Sequence, residues 1–288
     1  LGKRWLGVLF SILLIACFAY GFNGLQTYNM SSALEYYIPN YSDTILPAVV
    51  GLLIAAATAF VIFGGVHRIG FISSVIVPIM AGIYILMGIF ITLTNLDRVP
   101  EMFSLIFEGA FDFRAIFGGF AGSTVLIGIK RGLFSNEAGM GSAPNASATA
   151  TVSHPVKQGM VQVLSVFIDT LMICTTTLLL SGVTGIPEKL DGIPYVQAAI
   201  SANVGSLGIH FITFSIFAFA FTSLIGNYYY AESNILFIKN NRILLNVFRI
   251  TCLIAIFLGA QADFSTVWNL ADVLMGFMAI ENILVIFL

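Results

Sequence analysis

Residues 118–159 are the most unusual part of this chain and have the sequence GGFAGSTVLIGIKRGLFSNEAGMGSAPNASATATVSHPVKQG. Eight of these 42 positions are glycine, a far higher density than in the rest of the chain. Glycine weakens a helix, and a helix broken at membrane depth is tolerated where it lines a cavity. Close helix packing on small residues is the alternative explanation for Gly118, Gly119 and Gly122. The polar run at 135–137 favours the broken helix, which we predict at about 118–140.

The composition around this stretch is that of a membrane protein. Of the 288 residues, 58% are hydrophobic and only 9% are charged, whereas soluble proteins carry about 25% charged residues. A membrane-spanning helix needs about 20 apolar residues. Eight apolar segments are predicted to be such helices: Trp5–Leu34, Thr44–Phe63, Phe71–Leu93, Ala115–Leu133, Met160–Ser181, Ile209–Phe237, Ile243–Ala260 and Val267–Leu288. We therefore predict an all-α protein embedded in the lipid bilayer, with residues 1–288 as a single transmembrane domain.

The distribution of charged residues predicts an orientation. If the start of the first span is cytoplasmic, nine of the twelve basic residues fall on the cytoplasmic side, and only Arg98, Arg114 and Lys189 fall opposite. This excess follows the positive-inside rule. No basic patch is concentrated enough to suggest a nucleic-acid partner. Cys17, Cys174 and Cys252 lie in apolar runs and are predicted to be small buried hydrophobes.

A resemblance to a known family rests on the same unusual stretch. GIKRGLFSNEAGMGSAPNA (128–146), followed by HPVKQG (154–159) and FIDT (167–170), resembles the signature of the sodium:alanine/glycine symporter family. Similar segments lie at 21–33, 61–69, 219–232 and 267–282, so the resemblance covers the whole chain. It implies a leucine-transporter-type fold of two inverted five-helix repeats, with the eight spans as core helices three to ten. On that basis the chain is an internal fragment, truncated at both ends and without core helix one. Glu281 departs from the family, which usually has proline there.

The resemblance also implies roles for particular residues. Substrate contacts are expected from Gln26 and from the broken helix, at Gly118, Gly119, Gly122 and Ser123. Sodium ligands are expected from the hydroxyl pair Thr222 and Ser223, since oxygen suits a hard cation. A gating or coupling role is expected for Arg131, Ser135, Asn136, Glu137, Asp169 and Thr170; an ionisable residue inside a span, such as Asp169, is a functional hypothesis by default.

Each of these roles has a structural alternative. Gln26, with Asn23 and Asn29, would serve equally well as a polar contact between helices. Ser and Thr in membrane helices more often bond their own backbone, which would apply to Thr222. Asp169 would form a structural ion pair or hydrogen bond near the inner face. For Glu137, the gating role itself would consist of a pair with Lys130 or Arg131 in a cytoplasmic gate, and not of catalysis.

The predicted function is secondary active transport across the cell membrane, in which sodium drives symport of a small neutral amino acid, alanine or glycine. Sodium is then the coupling ion, and no further cofactor or bound metal is expected. A transporter-like amino-acid sensor is one alternative. An intramembrane aspartyl enzyme using Asp169 and Asp272 is a second, which we disfavour because the flanking signature of such enzymes is absent and the sequence offers no Ser–His or metal-ligand set.

Overall fold

The computed structural model of the protein describes residues 2–64, 66–111, 124–137, 139–148, 150–183 and 190–287. These residues contain helices and turns but no β-strand. The helices, in chain order, are α1 (Arg4–Ser32), α2 (Leu46–Ile62), α3 (Val66–Thr94), α4 (Val99–Ala110), α5 (Thr124–Asn136), α6 (Ala143–Ser147), α7 (Pro155–Gly182), α8 (Gly192–Val204), α9 (Ser206–Ile238), α10 (Arg242–Gly259) and α11 (Phe264–Phe287).

Six helices within the described ranges are long and apolar enough to cross a membrane: α1, the Ser74–Thr94 part of α3, α7, α9, α10 and α11. The prediction of an all-α, multi-pass membrane protein is confirmed, and these helices correspond to six of the eight predicted spans. The predicted span at 44–63 is the apolar helix α2, whose 17 residues fall short of the usual length. Of the predicted span at 115–133, the structure describes only residues 124 onward, which belong to α5.

Short polar caps start the last two helices. The Asn241 side chain accepts hydrogen bonds from the backbone N–H groups of residues 243 and 244, at 2.8 and 3.4 Å, and so begins α10. The Asp263 carboxylate accepts from the backbone N–H of Thr266 at 2.8 Å and from the Ser265 hydroxyl at 2.7 Å. These hydrogen bonds lower the pKa of Asp263 to about 2. Short capped connections therefore join α9 to α10 and α10 to α11.

Two of the spanning helices contain wider turns. Ile15–Phe22 in α1 and Ile168–Cys174 in α7 are wound as π-helix. Such segments are uncommon and occur frequently at functional sites. The one in α7 carries Asp169 and Thr170, which the sequence singled out for coupling.

Helix α9 is the most buried of the candidate spans and lies at the centre of the packing, against α1, α3, α8 and α10. Its Tyr228 is fully buried in an apolar cluster shared with α1, α2 and α10. Helices α1 and α10 approach so closely that a Cβ atom on Gly259 would lie 2.6 Å from the Cα atom of Gly24. Small residues thus set the distance between these helices, as is common in membranes.

The prediction for the cysteines is only partly right. Cys17 and Cys252 are buried, but Cys174 is exposed, because α7 is the least buried of the candidate spans. The Cys174 Sγ atom lies 3.2 Å from the hydroxyl oxygen of Ser135.

Candidate functional site

The signature segment turns sharply after α5 ends at Asn136. Glu137 has a φ of 54°, and Gly139 and Gly141 each have a φ of 76°. Glycine adopts this left-handed region freely, whereas glutamate rarely does. The turn brings the carboxylate of Glu137 back to Ser142, whose hydroxyl donates a hydrogen bond to it. Left-handed non-glycine residues cluster at functional sites, where the surrounding structure holds them in place.

A cavity of about 240 Å³ lies beside this turn. We call it the Glu137 pocket; it is lined by Ser135, Asn136, Glu137, Ala143, Gln162, Ser165, Val166, Asp169 and Tyr230. Four residues for which the sequence predicts a gating or coupling role therefore surround one space. The Ser135 hydroxyl also donates directly to the Asp169 carboxylate, which links α5 to the π-segment of α7. The gating role itself stays a prediction.

The Glu137 carboxyl is held in an environment that disfavours its charge. Burial raises its pKa, the hydrogen bond from Ser142 opposes that rise, and the neighbouring Asp169 adds to it. Within the described ranges, neither Lys130 nor Arg131 forms an ion pair with Glu137. A proton or a bound cation would neutralise this group more easily than an exposed glutamate.

Arg131 has a different partner from the one that the sequence suggested. Its guanidinium donates to both carboxylate oxygens of Asp272 on α11, each at 2.6 Å. It also lies over the Trp268 ring, 4.2 Å from the centroid, and 5.8 Å from that of Phe134. The interpretation that Arg131 pairs with Glu137 is therefore wrong: α11 presents a carboxylate and an aromatic face one turn apart, and a planar guanidinium fits both.

The two membrane aspartates are held by separate partners. Asp272 bonds Arg131, whereas Asp169 accepts from Ser135, so the structure does not present them as a hydrogen-bonded dyad. Thr170, next to Asp169, has a buried hydroxyl with no hydrogen-bond partner in the described part of the chain. That hydroxyl is a further unused polar atom within the π-segment of α7.

The amides of α1 have different environments. Asn23 is fully buried and donates to the Cys252 Sγ atom of α10 at 3.5 Å, which is the interhelical role that the sequence left open. Its Oδ1 atom has no partner in the described structure. Gln26 is only half-buried, and its side chain makes no hydrogen bond to the described residues. Of these two amides, Gln26 is the more accessible to a ligand, because Asn23 is fully buried.

The two hydroxyl residues of α9, Thr222 and Ser223, also have different environments. The Thr222 hydroxyl is buried and donates to the backbone carbonyls of Ala218 and Phe219, both at 3.0 Å. This is the backbone bonding expected as the structural alternative. Ser223 is exposed, although α9 is otherwise well buried around it. A Cβ atom on Gly226, one turn further, would have nothing within 4 Å, so this side of α9 is open in the described structure.

Four predicted substrate contacts cannot be placed. Gly118, Gly119, Gly122 and Ser123 lie outside the described residues. The helix break predicted at about 118–140 is therefore untested in the part that precedes residue 124.

Comparison with known proteins identifies the family. A family model described as the sodium:alanine symporter family matches residues 1–288. The chain belongs to the sodium:alanine symporter family. This confirms the resemblance seen in the signature segment. The family is one of symporters and not of enzymes, in agreement with the prediction.

Individual members of this family are similar along almost the whole chain. The amino-acid carrier protein AlsT of Bacillus subtilis is 45% identical over 99% of this chain and 60% of its own length. The probable sodium/glutamine symporter GlnT of the same organism is 43% identical over 100% of this chain and 60% of its own length. The sodium/alanine symporter AgcS of Methanococcus maripaludis is 37% identical over 99% of this chain and 62% of its own length. The chain thus spans about three fifths of these relatives.

Sequence reasoning missed two contributors to the site of this sodium:alanine symporter family member. It considered Asp272 only in the disfavoured enzyme alternative and gave Trp268 no role. Trp268 and Asp272 are four residues apart, which places both on one face of a helix. That spacing could be read from the sequence, but which basic residue faces them could not.

Proposed function

We propose that this chain forms the core of a sodium-coupled symporter for small neutral amino acids, alanine or glycine, in the cell membrane. The observation that carries the proposal is the family match over residues 1–288. The leucine-transporter-type arrangement of core helices three to ten and a cytoplasmic start of α1 are parts of the same proposal. The similarity to AgcS, which is named a sodium/alanine symporter, supports alanine among the substrates.

Gln26 is the proposed substrate contact on α1. Its half-buried amide makes no hydrogen bond to the described residues, so it can bond an amino acid without breaking an existing contact. A polar group with no internal partner in an apolar helix is better satisfied by a polar ligand. The backbone around residues 118–123 would complete the substrate site.

Thr222 and Ser223 are the proposed sodium ligands on α9. Ser223 faces the open side of the helix, and the Thr222 oxygen keeps lone pairs although its hydrogen is donated to the backbone. Symport requires that sodium and the amino acid each bind one conformation better than the other. The Glu137 pocket, which joins α5 and α7 through Ser135 and Asp169, is the proposed place where that conformational difference is expressed.

The test is uptake of radiolabelled alanine by the full-length protein in proteoliposomes, with and without an inward sodium gradient. We expect uptake only with the gradient. Unlabelled glycine and glutamine serve as competitors, glutamine because GlnT is 43% identical. Saturable alanine binding without uptake would favour the sensor, and the absence of both would overturn the proposal.

Two variants test the residue assignments. Thr222→Ala should raise the sodium concentration needed for half-maximal uptake by about tenfold, as loss of a ligand-supporting group typically does. Gln26→Ala should weaken alanine binding more than sodium binding. Ser206→Ala, an exposed hydroxyl at the start of the same α9, is the matched control and should leave both unchanged. An unchanged sodium dependence in Thr222→Ala would remove that residue from the site.

A further inference from the structure

Glu281, in the apolar helix α11, is a buried carboxyl group without a partner. The residue is only 8% exposed, and neither of its carboxylate oxygens has a hydrogen-bond partner among the residues that the structure describes. It lines a cavity of about 490 Å³ between α1, α6, α9 and α11, which we call the Glu281 pocket. The polar residues that line this pocket with it include Asn145, Ser233 and Asn282.

The neighbouring side chains direct hydrogen-bond donors away from the carboxylate. The Ser233 hydroxyl donates to the carbonyl one turn earlier in its own helix, at 2.9 Å. The Asn282 amide donates to the carbonyl of Gly139 in the signature turn, at 2.9 Å. The Asn145 amide donates to the carbonyl four residues before it, at 3.3 Å. Oxygen atoms with free lone pairs therefore remain around Glu281, and none of these groups donates to it.

The signature turn is fitted closely to this pocket. A Cβ atom on Gly141 would lie 2.6 Å from the Asn282 Oδ1 atom, so that oxygen is packed directly against the glycine. The Asn145 Oδ1 atom in turn accepts from Asn234 of α9 at 3.0 Å. The oxygens around Glu281 thus come from three elements that are already held in place by other contacts.

An ionised carboxylate in these surroundings needs a positive partner. Burying a charge without one is costly, most of all within a membrane. Lys3 and Arg4 line an adjacent cavity, but neither forms an ion pair with Glu281. In the described ranges no three His, Cys, Asp or Glu side chains are grouped as they would be for a multivalent metal. One carboxylate surrounded by neutral oxygens balances one positive charge and suits a hard cation.

We infer that the Glu281 pocket binds a monovalent alkali cation through the Glu281 carboxylate and the oxygens of Ser233 and Asn282. This site is distinct from the proposed sodium site at Thr222 and Ser223, and it does not depend on transport. A cation bound here joins α11 and α9 to the signature turn, and so stabilises the position of that turn.

The experiment uses the purified full-length protein carrying Thr222→Ala and Ser223→Ala, which removes the proposed sodium site. Its thermal unfolding is measured in NaCl, KCl and choline chloride at equal ionic strength, and ²²Na⁺ binding is measured by equilibrium dialysis. We expect an alkali cation to raise the unfolding midpoint above that in choline, since a ligand that binds only the folded state stabilises it. Unequal effects of NaCl and KCl identify which cation the site prefers.

Glu281→Gln in the same background should abolish the stabilisation, and Ser233→Ala should weaken cation binding by about tenfold. Glu281→Asp keeps the charge and should retain part of the effect. Glu101→Gln removes an exposed carboxylate on α4 and should change nothing. If Glu281→Gln does not fold, an unchanged affinity in Ser233→Ala overturns the inference.

Two other results would also contradict it. Equal unfolding midpoints in choline and in the alkali salts would show that no cation binds, and a Glu281→Gln variant that differs only in its pH response would show that the group holds a proton instead. Failure of the proposed function is distinguishable, because it appears as missing uptake in the wild-type protein whatever happens at Glu281.

Discussion

Glu232 of α9 and Glu281 of α11 are both largely buried carboxylates in apolar helices, yet their surroundings differ completely. Arg249 of α10 donates to Glu232 at 3.0 Å and to the Tyr228 hydroxyl at 2.9 Å. Glu281 accepts from no group in the described structure. The first carboxylate is used to hold two helices together, whereas the second is left to be neutralised by something outside the protein. Burial alone therefore does not distinguish a structural carboxylate from one that binds a ligand. The presence or absence of hydrogen-bond and ion-pair partners distinguishes them.

The glycines of α10 and α9 show a similar contrast between close packing and open space. Where α10 meets α1, a Cβ atom on Gly259 would run into the backbone of Gly24. On the side of α9 that carries Ser223, a Cβ atom on Gly226 would meet nothing within 4 Å. The region where α10 contacts α1 and α9, which we call the closed region, is tightly packed. The side of α9 that carries Ser223 and the Glu281 pocket both have room for a ligand.

The largest effect on stability is expected from loss of the Glu232–Arg249 ion pair in the closed region. Arg249→Ala leaves the Glu232 carboxylate and the Tyr228 hydroxyl without their partner, so the free energy of unfolding should fall by about 3 kcal/mol. Thermal unfolding in detergent measures the change. Arg242→Ala removes an exposed arginine at the start of the same α10 and should have little effect. Equal losses in the two variants would show that the Glu232–Arg249 pair does not stabilise this region.

The next largest effect on stability is expected from a substitution at Gly259, with Gly226 as the comparison. Gly259→Ala should lower the free energy of unfolding by about 2 kcal/mol, because the added methyl group meets backbone that cannot move away cheaply. Gly226→Ala should raise it by about 0.5 kcal/mol, since alanine is the better helix former and the space is open. Comparing the two unfolding midpoints tests the contrast directly. Similar destabilisation by both would mean that the Ser223 side of α9 is as closely packed as the α10 side.

The Arg131–Asp272 pair should contribute less than the Glu232–Arg249 pair. Its side chains are 34% and 20% exposed, so solvent screens the interaction. Asp272→Asn should therefore cost about 1 kcal/mol. The loss is measured by thermal unfolding at low and high salt, against the exposed Asp97→Asn as the control. A loss of stability as large as that in Arg249→Ala would show that the Arg131–Asp272 pair stabilises the fold as strongly as the Glu232–Arg249 pair.

The smallest expected effect is a pH dependence at the Glu137 pocket. Burial raises the pKa of Glu137 above its ordinary value near 4.5, so the folded protein holds this proton more tightly than the unfolded chain does. The resulting stability is fully present below that ordinary value and is lost as the pH rises through the folded value. Glu137→Gln should flatten the unfolding midpoint against pH in this range, whereas the exposed Glu101→Gln should not. A wild-type midpoint that rises with pH would contradict the assignment.

Much of the fold follows from local features of the chain. Apolar stretches of helical length predict the spans, and six of the eight appear as candidate spans in the described structure. The run from Gly128 to Ala146 was enough to identify the family, because a long motif depends on the order of residues and not on their contacts. The family resemblance also implied a gating or coupling role for residues 135–137 and for Asp169; the structure places these residues around one cavity, and the role itself stays a prediction.

The partners of the polar residues were decided only by the packing of helices. Arg131 and Asp272 are 141 positions apart, and the choice of Asp272 over the nearby Glu137 depends on how α11 lies against α5. Thr222 bonds its own backbone while Ser223 faces open space, although the two are neighbours in the sequence. Hydrophobicity and helix propensity act over one or two turns and therefore determine which segments form helices. Hydrogen bonds and ion pairs need distances near 3 Å between residues remote in the chain, so the partner of Arg131, and the lack of a partner for Glu281 in the described structure, depend on the tertiary structure.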